Sequence, residues 1–573
     1  MTAKIKPATV STFKLGVNNR LADYRLRTEN GVFMRDISNA DITQGGALKR
    51  RAGYTLAIAG AQTSLWSDDA QAYCASGTTM QSLSGASGSL VATTVTGATL
   101  SSGAPVSYAT TPFGGAFWTD GVSVGIVAAG ASSALAPPQP TVLPTVTVGV
   151  GTGSLDVGKY TYCFTYVDAL GRESPATAPV QVDVATAGAL SFNLATNPPT
   201  GLSLKTYISM PNGVECYFSS TQSVSGGVTI TTTTVFGPAC TTMGLKNLPA
   251  GRFIRYNMGR VIVAAGSMLY FSRPFMPGLY DPTLDFIPLP AEITVVEIIN
   301  GDGMYVVADQ TYWLPGDPGD TKPNAVSPLA GMMGSGCSRP ETNDSFWMST
   351  RGLVMGSPGG KVVFVQEENV AVNITTSAVS LPRSRDGTAE VISTLYGATV
   401  EPRAEAKAYA SAQAPDLAAS GETWVVDMDT KASRRYAGFT FTSYAEILGR
   451  VYGSKTGGIY VLEGDTDAGT LITARIAPGR LDFNSTMRKR MEAAYLIVGS
   501  AKLMRLTITD DKGSAWSYDT RRKDAEVKQQ RLDVGRGLNG VFLDFVITNV
   551  DGGQFELAGY EFFAAEVTRR LAG

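Results

Sequence analysis

Histidine is absent from all 573 residues. That removes Ser-His-Asp and Cys-His activation and imidazole metal ligation, and leaves acid–base chemistry to carboxylates or lysine. Charge is scarce too: Asp, Glu, Lys and Arg make up 17% of the chain, against about a quarter in ordinary globular proteins. The five cysteines, Cys74, Cys163, Cys216, Cys240 and Cys337, are odd in number, widely spaced and form no CxxC. This argues against a disulfide framework or a zinc site and predicts buried free thiols in a protein folded in a reducing cytoplasm. The N-terminus lacks the apolar stretch of a signal peptide, and the most apolar window, 122–136, is broken by Gly and Ser and too short to span a bilayer. A soluble chain made in the cytoplasm is expected. Helical periodicity is nearly missing. It is confined to 401–419, where Pro415 would end a helix.

Motifs that carry chemistry are missing in the same way. Gly359-Gly360-Lys361 is followed by Val362, where a phosphate-binding loop needs Ser or Thr. Gly464-Asp465-Thr466-Asp467 has no bidentate Glu at calcium-loop spacing and reads as a hairpin turn. Glu367-Glu368, Asp510-Asp511 and Asp427/Asp429 are paired acids, but each lies beside turn residues or polar strand ends, where solvated turns outnumber glycosidase pairs. The expectation is no enzyme, no cofactor and no metal.

What is present is the composition of sheets. Gly numbers 63, Ser and Thr are plentiful, and short alternating runs are broken by Gly, Asn-Gly or Asp-Gly. The length suggests roughly three or four domains. Between Arg51 and Ala250 the basic residues are Arg51, Lys159, Arg172, Lys205 and Lys246. The acids there are Asp68, Asp69, Asp120, Asp156, Asp168, Glu173, Asp183 and Glu215. Such a stretch is either a small-polar Ser/Thr surface or one covered by neighbouring subunits. Net charge is −2, so the whole chain is no electrostatic nucleic-acid binder. The first 51 residues differ, carrying Lys4, Lys6, Lys14, Arg20, Arg25, Arg27, Arg35, Lys49, Arg50 and Arg51 against Asp23, Glu29, Asp36 and Asp41. That arm is a solvated tail or a strap for an acidic partner.

A weak repeat organises the middle of the chain. Each unit is a short strand, a tight turn and an apolar-aromatic strand: Gly259–Ser272, Asn300–Gly316, Ser345–Val365 and Gly449–Gly464. Ala116–Gly121 has the same shape, and Trp66-Ser-Asp-Asp69 looks like a decayed copy. A period of about 40–50 residues suits four-stranded propeller blades; unrelated hairpins sharing turn chemistry are the competing reading. The repeat is interrupted after the linker Ala136-Pro-Pro-Gln-Pro140. There, Gly158–Pro175 places aromatics at alternate positions before a turn, resembling the centre of a fibronectin type III-like sandwich. Beyond residue 470 the alternating strands carry denser, mixed charge. The fold expected is all-β: an interrupted β-propeller body, an inserted fibronectin type III-like β-sandwich and a C-terminal β-sandwich. The domains would be 1–50 (N-terminal basic arm and first strand), 51–139 (first blades), 140–248 (inserted sandwich), 249–470 (remaining blades) and 471–573 (closing sandwich).

Three stretches together resemble the tail nozzle proteins of short-tailed bacteriophages, also called tail tubular protein B-like or packaged-DNA stabilisation proteins. They are Asn39 with Gly45–Tyr54; Gly259-Arg260 through Tyr270–Pro274 and Tyr280–Pro282; and Lys489-Arg490, Gly535–Gly540, Asn549–Phe555 and Arg569-Arg570. Ala52 departs from the proline usual there. The resemblance implies a homo-oligomeric, hexameric ring in the virion tail, assembled in the host cytoplasm. It implies contacts with the adaptor or head-to-tail connector ring, with tail fibre or tail plug proteins and with the host cell surface. Double-stranded genomic DNA would pass the lumen without sequence specificity. Lys49, Arg50 and Arg51 are the assembly candidates, fixing the chain's start and its contact with a ring neighbour or the adaptor; the competing role is local, within the first blade. Two other functions stay open: a receptor- or glycan-binding propeller of the virion or cell surface, and a carboxylate-based polysaccharide-cleaving propeller.

Overall fold

Glycine turns and alternating apolar residues set the local structure. In Arg260–Ala265 and Met268–Phe271, a φ of +77° at Gly259 makes the preceding turn, a left-handed geometry that side chains with a Cβ resist. Phe253–Asn257 and Phe286–Pro288 complete a four-stranded antiparallel sheet around that hairpin. The computed structural model describes residues 6–567, apart from 87, 234–235, 340, 402–421 and 536. Among these there are strands and short 3₁₀ turns but no α-helix, so the protein is all-β. Of the helix expected over 401–419, Glu401 ends the strand Thr388–Glu401; the remainder lies outside the described residues.

The chain forms two compact units. Met1–Thr94, Thr294–Pro315 and Pro323–Gly573 make the first; Val95–Ile293 and Gly316–Lys322 make the second. In the first unit, the repeats at Asn300, Ser345 and Gly449 are each the central hairpin of a propeller-type blade. Edge strands of successive blades pack in order: Val295–Ile299 on Cys337–Arg339, that on Ile374–Arg385, that on Ser443–Ile447, and that on Gln62–Ser67. The blade of Ser443–Ile447 takes its fourth strand from the start of the chain, Thr55–Ala59, paired with Gly458–Val461. That pairing covers an edge that would otherwise expose unpaired N–H and C=O groups. Aromatics fill the blade interiors, as where Tyr305 lies 4.7 Å from Trp313 and 5.2 Å from Trp347 between ring centroids.

The same unit holds the closing sandwich, and here the N-terminal segment departs from the arm expected of it. Ala8–Val10 pairs with Phe555–Glu566. Asp36–Ser38 lies between Ser433–Tyr436 and Arg475–Leu481, welding a blade and a sandwich sheet into one nine-stranded sheet. Ala40–Ile42 and Leu48–Arg50 extend the opposing seven-stranded sheet. Phe13, Met34, Ile37 and Leu48 are buried with Leu496, Leu506, Phe545 and Phe562 in a single core. The reason is pattern: alternate apolar residues between the basic ones bury, and a strand with one apolar face must find a sheet.

The second unit has two further blades, 107–134 and 253–288, whose strands Ser107–Thr110 and Phe253–Asn257 pack on each other. Between them in sequence stands the inserted β-sandwich, of three strands (Thr145–Leu155, Gly188–Leu194, Gly226–Ile230) and four (Val180–Val184, Gly158–Asp168, Leu202–Ser209, Cys216–Gln222). Along Gly158–Asp168 the even residues Tyr160, Tyr162, Phe164 and Tyr166 face its core with Leu190, Phe192, Leu204 and Ile208. Its ends are tied where Asn247 Nδ2 donates to Pro137 O at 3.0 Å and Gln139 Nε2 to Ala176 O at 2.6 Å. A private core and closed ends predict a separable domain. Residues 140–248 expressed alone give a soluble product with dispersed β-type amide NMR spectra; a collapsed spectrum would assign these strands to the blades instead.

Candidate assembly site

Lys49, Arg50 and Arg51 follow one another in extended backbone, yet they have different fates. Lys49 is 52% exposed and meets Glu556 of the paired strand at 3.6 Å. Arg50 is buried, donating to Gly552 O at 2.6 Å and to Asp465 Oδ1 at 2.9 Å. Arg51 is fully buried. Its guanidinium grips Asp467 through two bonds of 2.7 and 2.6 Å. Nε donates to Asn39 Oδ1 at 2.8 Å, and the remaining N–H groups reach Ala52 O at 2.9 Å and Ala437 O at 3.0 Å. All five donors are thereby used, and the group lies 4.7 Å from the Phe439 ring centroid. Arg50 and Arg51 therefore have no guanidinium to offer a ring neighbour or an adaptor. They fix the chain's start internally, joining it to the hairpin Thr466–Leu471 and to the blade at Ala437. Of the three, Lys49 alone is available to a partner.

Around this point lies an ion network that the sequence reading passed over. Arg383 and Glu390 are directly opposed across a hairpin, bonded at 3.1 and 3.0 Å. Arg434 joins Glu390 to Asp41 (2.9 Å to the latter), and Arg385 reaches Asp41 at 2.7 Å. Asp36 receives Arg435 at 2.7 Å and Arg475 at 2.5 Å. The signal available in sequence was charge inside otherwise strand-like runs: Arg383 and Arg385 on one face, and the Arg434-Arg435 pair. Burial alone would raise the Asp36 carboxyl, but Arg435 and Arg475 outweigh it and hold it at about 2 instead of its ordinary 3.8. Asp41 is likewise pushed up by burial and pulled further down by Arg434, Arg385 and Arg383.

A depressed carboxyl stabilises the fold above its unfolded value and loses that contribution as pH falls through its folded value. For Asp36 the window runs from about pH 4 to about pH 2 and involves about 2 kcal/mol. The stability gap between wild type and Asp36→Asn, read from denaturant titrations, narrows across that window. A gap constant from pH 7 to pH 2 would show that Arg435 and Arg475 do not hold this carboxylate.

A cleft of about 370 Å³ opens beside the Arg51–Asp467 pair, lined by Ser38, Asn39, Gly438, Asp467, Ile472 and Arg475 among others. Its polar groups are already engaged: Asn39 Nδ2 donates to Thr473 O at 2.9 Å, Asp467 is held by Arg51 and Arg475 by Asp36. This chemistry is that of a strut. Four of the six paired acids are likewise engaged. Glu367 pairs with Arg351; Asp427 and Asp510 accept backbone N–H groups of their own turns at 2.8 to 3.0 Å; Asp511 lies 3.9 Å from Arg488. Gly359 N–H is bonded to Asp302 at 2.5 Å, a carboxylate standing where a phosphate loop would need an open anion site. The calcium-like run is not itself the hairpin turn expected of it: Thr466 and Asp467 form the first strand of a short hairpin that turns at Ala468-Gly469.

No family model matches the chain, and no curated protein matches it. Among solved structures it is similar to the WD40 β-propeller domain of Doa1, at 9% identity over 59% of this chain and 93% of that one, with a TM-score of 0.22. The dihydro-heme d1 dehydrogenase NirN aligns at 12% identity over 70% and 77%, with a TM-score of 0.24. The extracellular domain of BT4673 from B. thetaiotaomicron aligns at 8% over 92% and 97%, with a TM-score of 0.20. At such TM-scores these likenesses decide nothing about activity.

Proposed function

We propose that the chain is a structural protein that works by assembly, a ring-forming tail nozzle of a short-tailed bacteriophage through which the genome is conducted. One observation carries the assembly reading. In the first unit, residues 70–94 contain no charged side chain; in the second, 95–155 contain only Asp120, which is buried. These residues nevertheless form long exposed strands, Ser89–Thr99, which runs from the first stretch into the second, and Thr145–Leu155, with Val91 57% and Val150 70% exposed. Uncharged exposed strands of this length are poorly solvated alone and suit burial against neighbouring copies. A closed ring buries two different faces of every subunit. The nozzle itself rests on the resemblance of the three sequence stretches in their order along the chain.

The second reading is a receptor- or glycan-binding propeller of the virion or cell surface. Isolated exposed aromatics favour it, Phe113 at 69% and Phe275 at 78%. Sizing by native mass spectrometry with negative-stain imaging separates the two. The nozzle predicts rings of about six copies around one axis, and Val91→Lys with Val150→Lys leaves a folded monomer that no longer assembles. A stable monomer that binds surface polysaccharide, with affinity lost on replacing Phe113 or Phe275, would establish the second reading and overturn the first.

A further inference from the structure

The same alternation that turns Tyr160, Tyr162, Phe164 and Tyr166 into the inserted sandwich sends Cys163 to the opposite face of the sheet. There it is buried with Tyr207 and Cys216, and Phe218, Cys240 and Met243 pack over it. An isolated bridge pairs Tyr217 with Ala239, and Cys240 N–H donates to Cys216 O at 2.8 Å, so Cys216 and Cys240 face each other across two strands. Cys216 Sγ also reaches Thr161 O at 3.4 Å, on the strand that carries Cys163. Three of the chain's five cysteines, separated by up to 77 positions, thus meet at one point, and Cys240 alone of the three is partly exposed.

We propose that this cluster is a thiol–disulfide exchange site, in which Cys240 attacks a small disulfide and Cys163 closes an internal Cys163–Cys240 disulfide. Exposure separates the three sulfurs: Cys240 alone reaches solvent, while Cys163 is enclosed. Cys163 is wholly buried against the other two thiols, and their proximity together with burial pushes its thiol up and keeps it protonated. Cys240 is the partly exposed thiol, and the neighbouring Cys163 thiol, aided by Thr242 and against burial, brings it down to about 7, giving a thiolate at the solvent side. In the first step the Cys240 thiolate bonds to one sulfur of the small disulfide, whose S–S bond breaks and releases a thiolate. That thiolate takes the Cys163 proton. The Cys163 sulfur then attacks Cys240, forming the internal S–S bond and expelling the second small thiolate. Two protein thiols are oxidised and one small disulfide is reduced to two thiols. Cys74 provides an internal contrast: it is buried away from other thiols, and burial pushes it up to about 12.

The test uses the full reduced chain incubated with oxidised glutathione, quenched by alkylation, and read by intact mass and non-reducing peptide mapping. The expected product has lost two hydrogen atoms, contains a Cys163–Cys240 linked peptide, leaves Cys74 alkylated, and reverts with dithiothreitol. Cys163→Ala instead accumulates a glutathione adduct at Cys240, and Cys240→Ser forms neither adduct nor link. The wild-type map decides the matter even if a variant folds poorly. A persistent adduct without closure, a link through Cys216 in place of Cys163, or reaction confined to Cys74 or Cys337 would each overturn the proposal.

Discussion

Replacing Arg51 by Ala lowers the unfolding free energy by about 3–5 kcal/mol, the usual cost of stranding one member of a buried ion pair. The residue is 0% exposed, and its removal leaves the Asp467 carboxylate and the Ala437 oxygen without their Arg51 donors. Arg51→Lys recovers little, because an ammonium on a flexible stem cannot span Asp467, Asn39 and Ala437 at once. Arg51→Leu combined with Asp467→Leu costs less than the two single changes added together, since neither charge is then left alone. Lys49→Ala, by contrast, changes stability by less than about 1 kcal/mol, as its pair with Glu556 is open to solvent. Guanidinium chloride titrations at pH 7 supply these numbers. An Arg51→Ala loss below about 1 kcal/mol would mean that the bidentate grip on Asp467 contributes nothing net. The triple Ala variant of Lys49, Arg50 and Arg51 accordingly fails through the fold of the single chain. A lost ring contact is not needed to explain it.

Deleting residues 1–42 has a larger effect still: the first unit no longer unfolds cooperatively. The deletion takes Asp36–Ser38 from the middle of the nine-stranded sheet, leaving Ser433–Tyr436 and Arg475–Leu481 with bare edges. It also removes Ala8, Val10, Phe13, Val17, Met34, Ile37, Ala40 and Ile42 from the shared core. At about 1.5–3 kcal/mol for each of the six larger side chains, this is about 9–18 kcal/mol, as much as the 5 to 15 kcal/mol or so that holds an ordinary domain folded. Arg434, Arg435 and Arg475 further lose Asp41 and Asp36. Thermal melts followed by near-UV circular dichroism, with size-exclusion chromatography, should show aggregation or a broad, non-cooperative loss of signal. A soluble truncated chain melting at the wild-type temperature would restore the N-terminal segment to the status of a detachable arm.

Sequence alone determined that the protein is built from sheets and which runs form the central hairpins at Asn300, Ser345 and Gly449, though it misplaced the turn near Gly464 by a few residues. Those properties are local: a residue's place in a strand alternates with period two, and a left-handed turn such as Gly259 is decided within a few residues. The aromatic alternation of Gly158–Asp168 likewise announced which face of that strand would be buried. The partners of charged and sulfur-bearing residues could not be read in this way. Lys49, Arg50 and Arg51 are three adjacent positive charges in the sequence, but the sheet sends Lys49 to solvent and Arg50 and Arg51 inward. There they meet Asp465 and Asp467, more than four hundred residues further along the chain. Arg434 finds Asp41, and Cys163 finds Cys216 and Cys240, by the same kind of long-range meeting. Strand periodicity is short-ranged, whereas the cost of burying a charge or an unpaired donor is met only by whatever the topology brings alongside it. The tertiary structure alone therefore decided which of these basic residues are struts, which one stays exposed, and which thiols share a cluster.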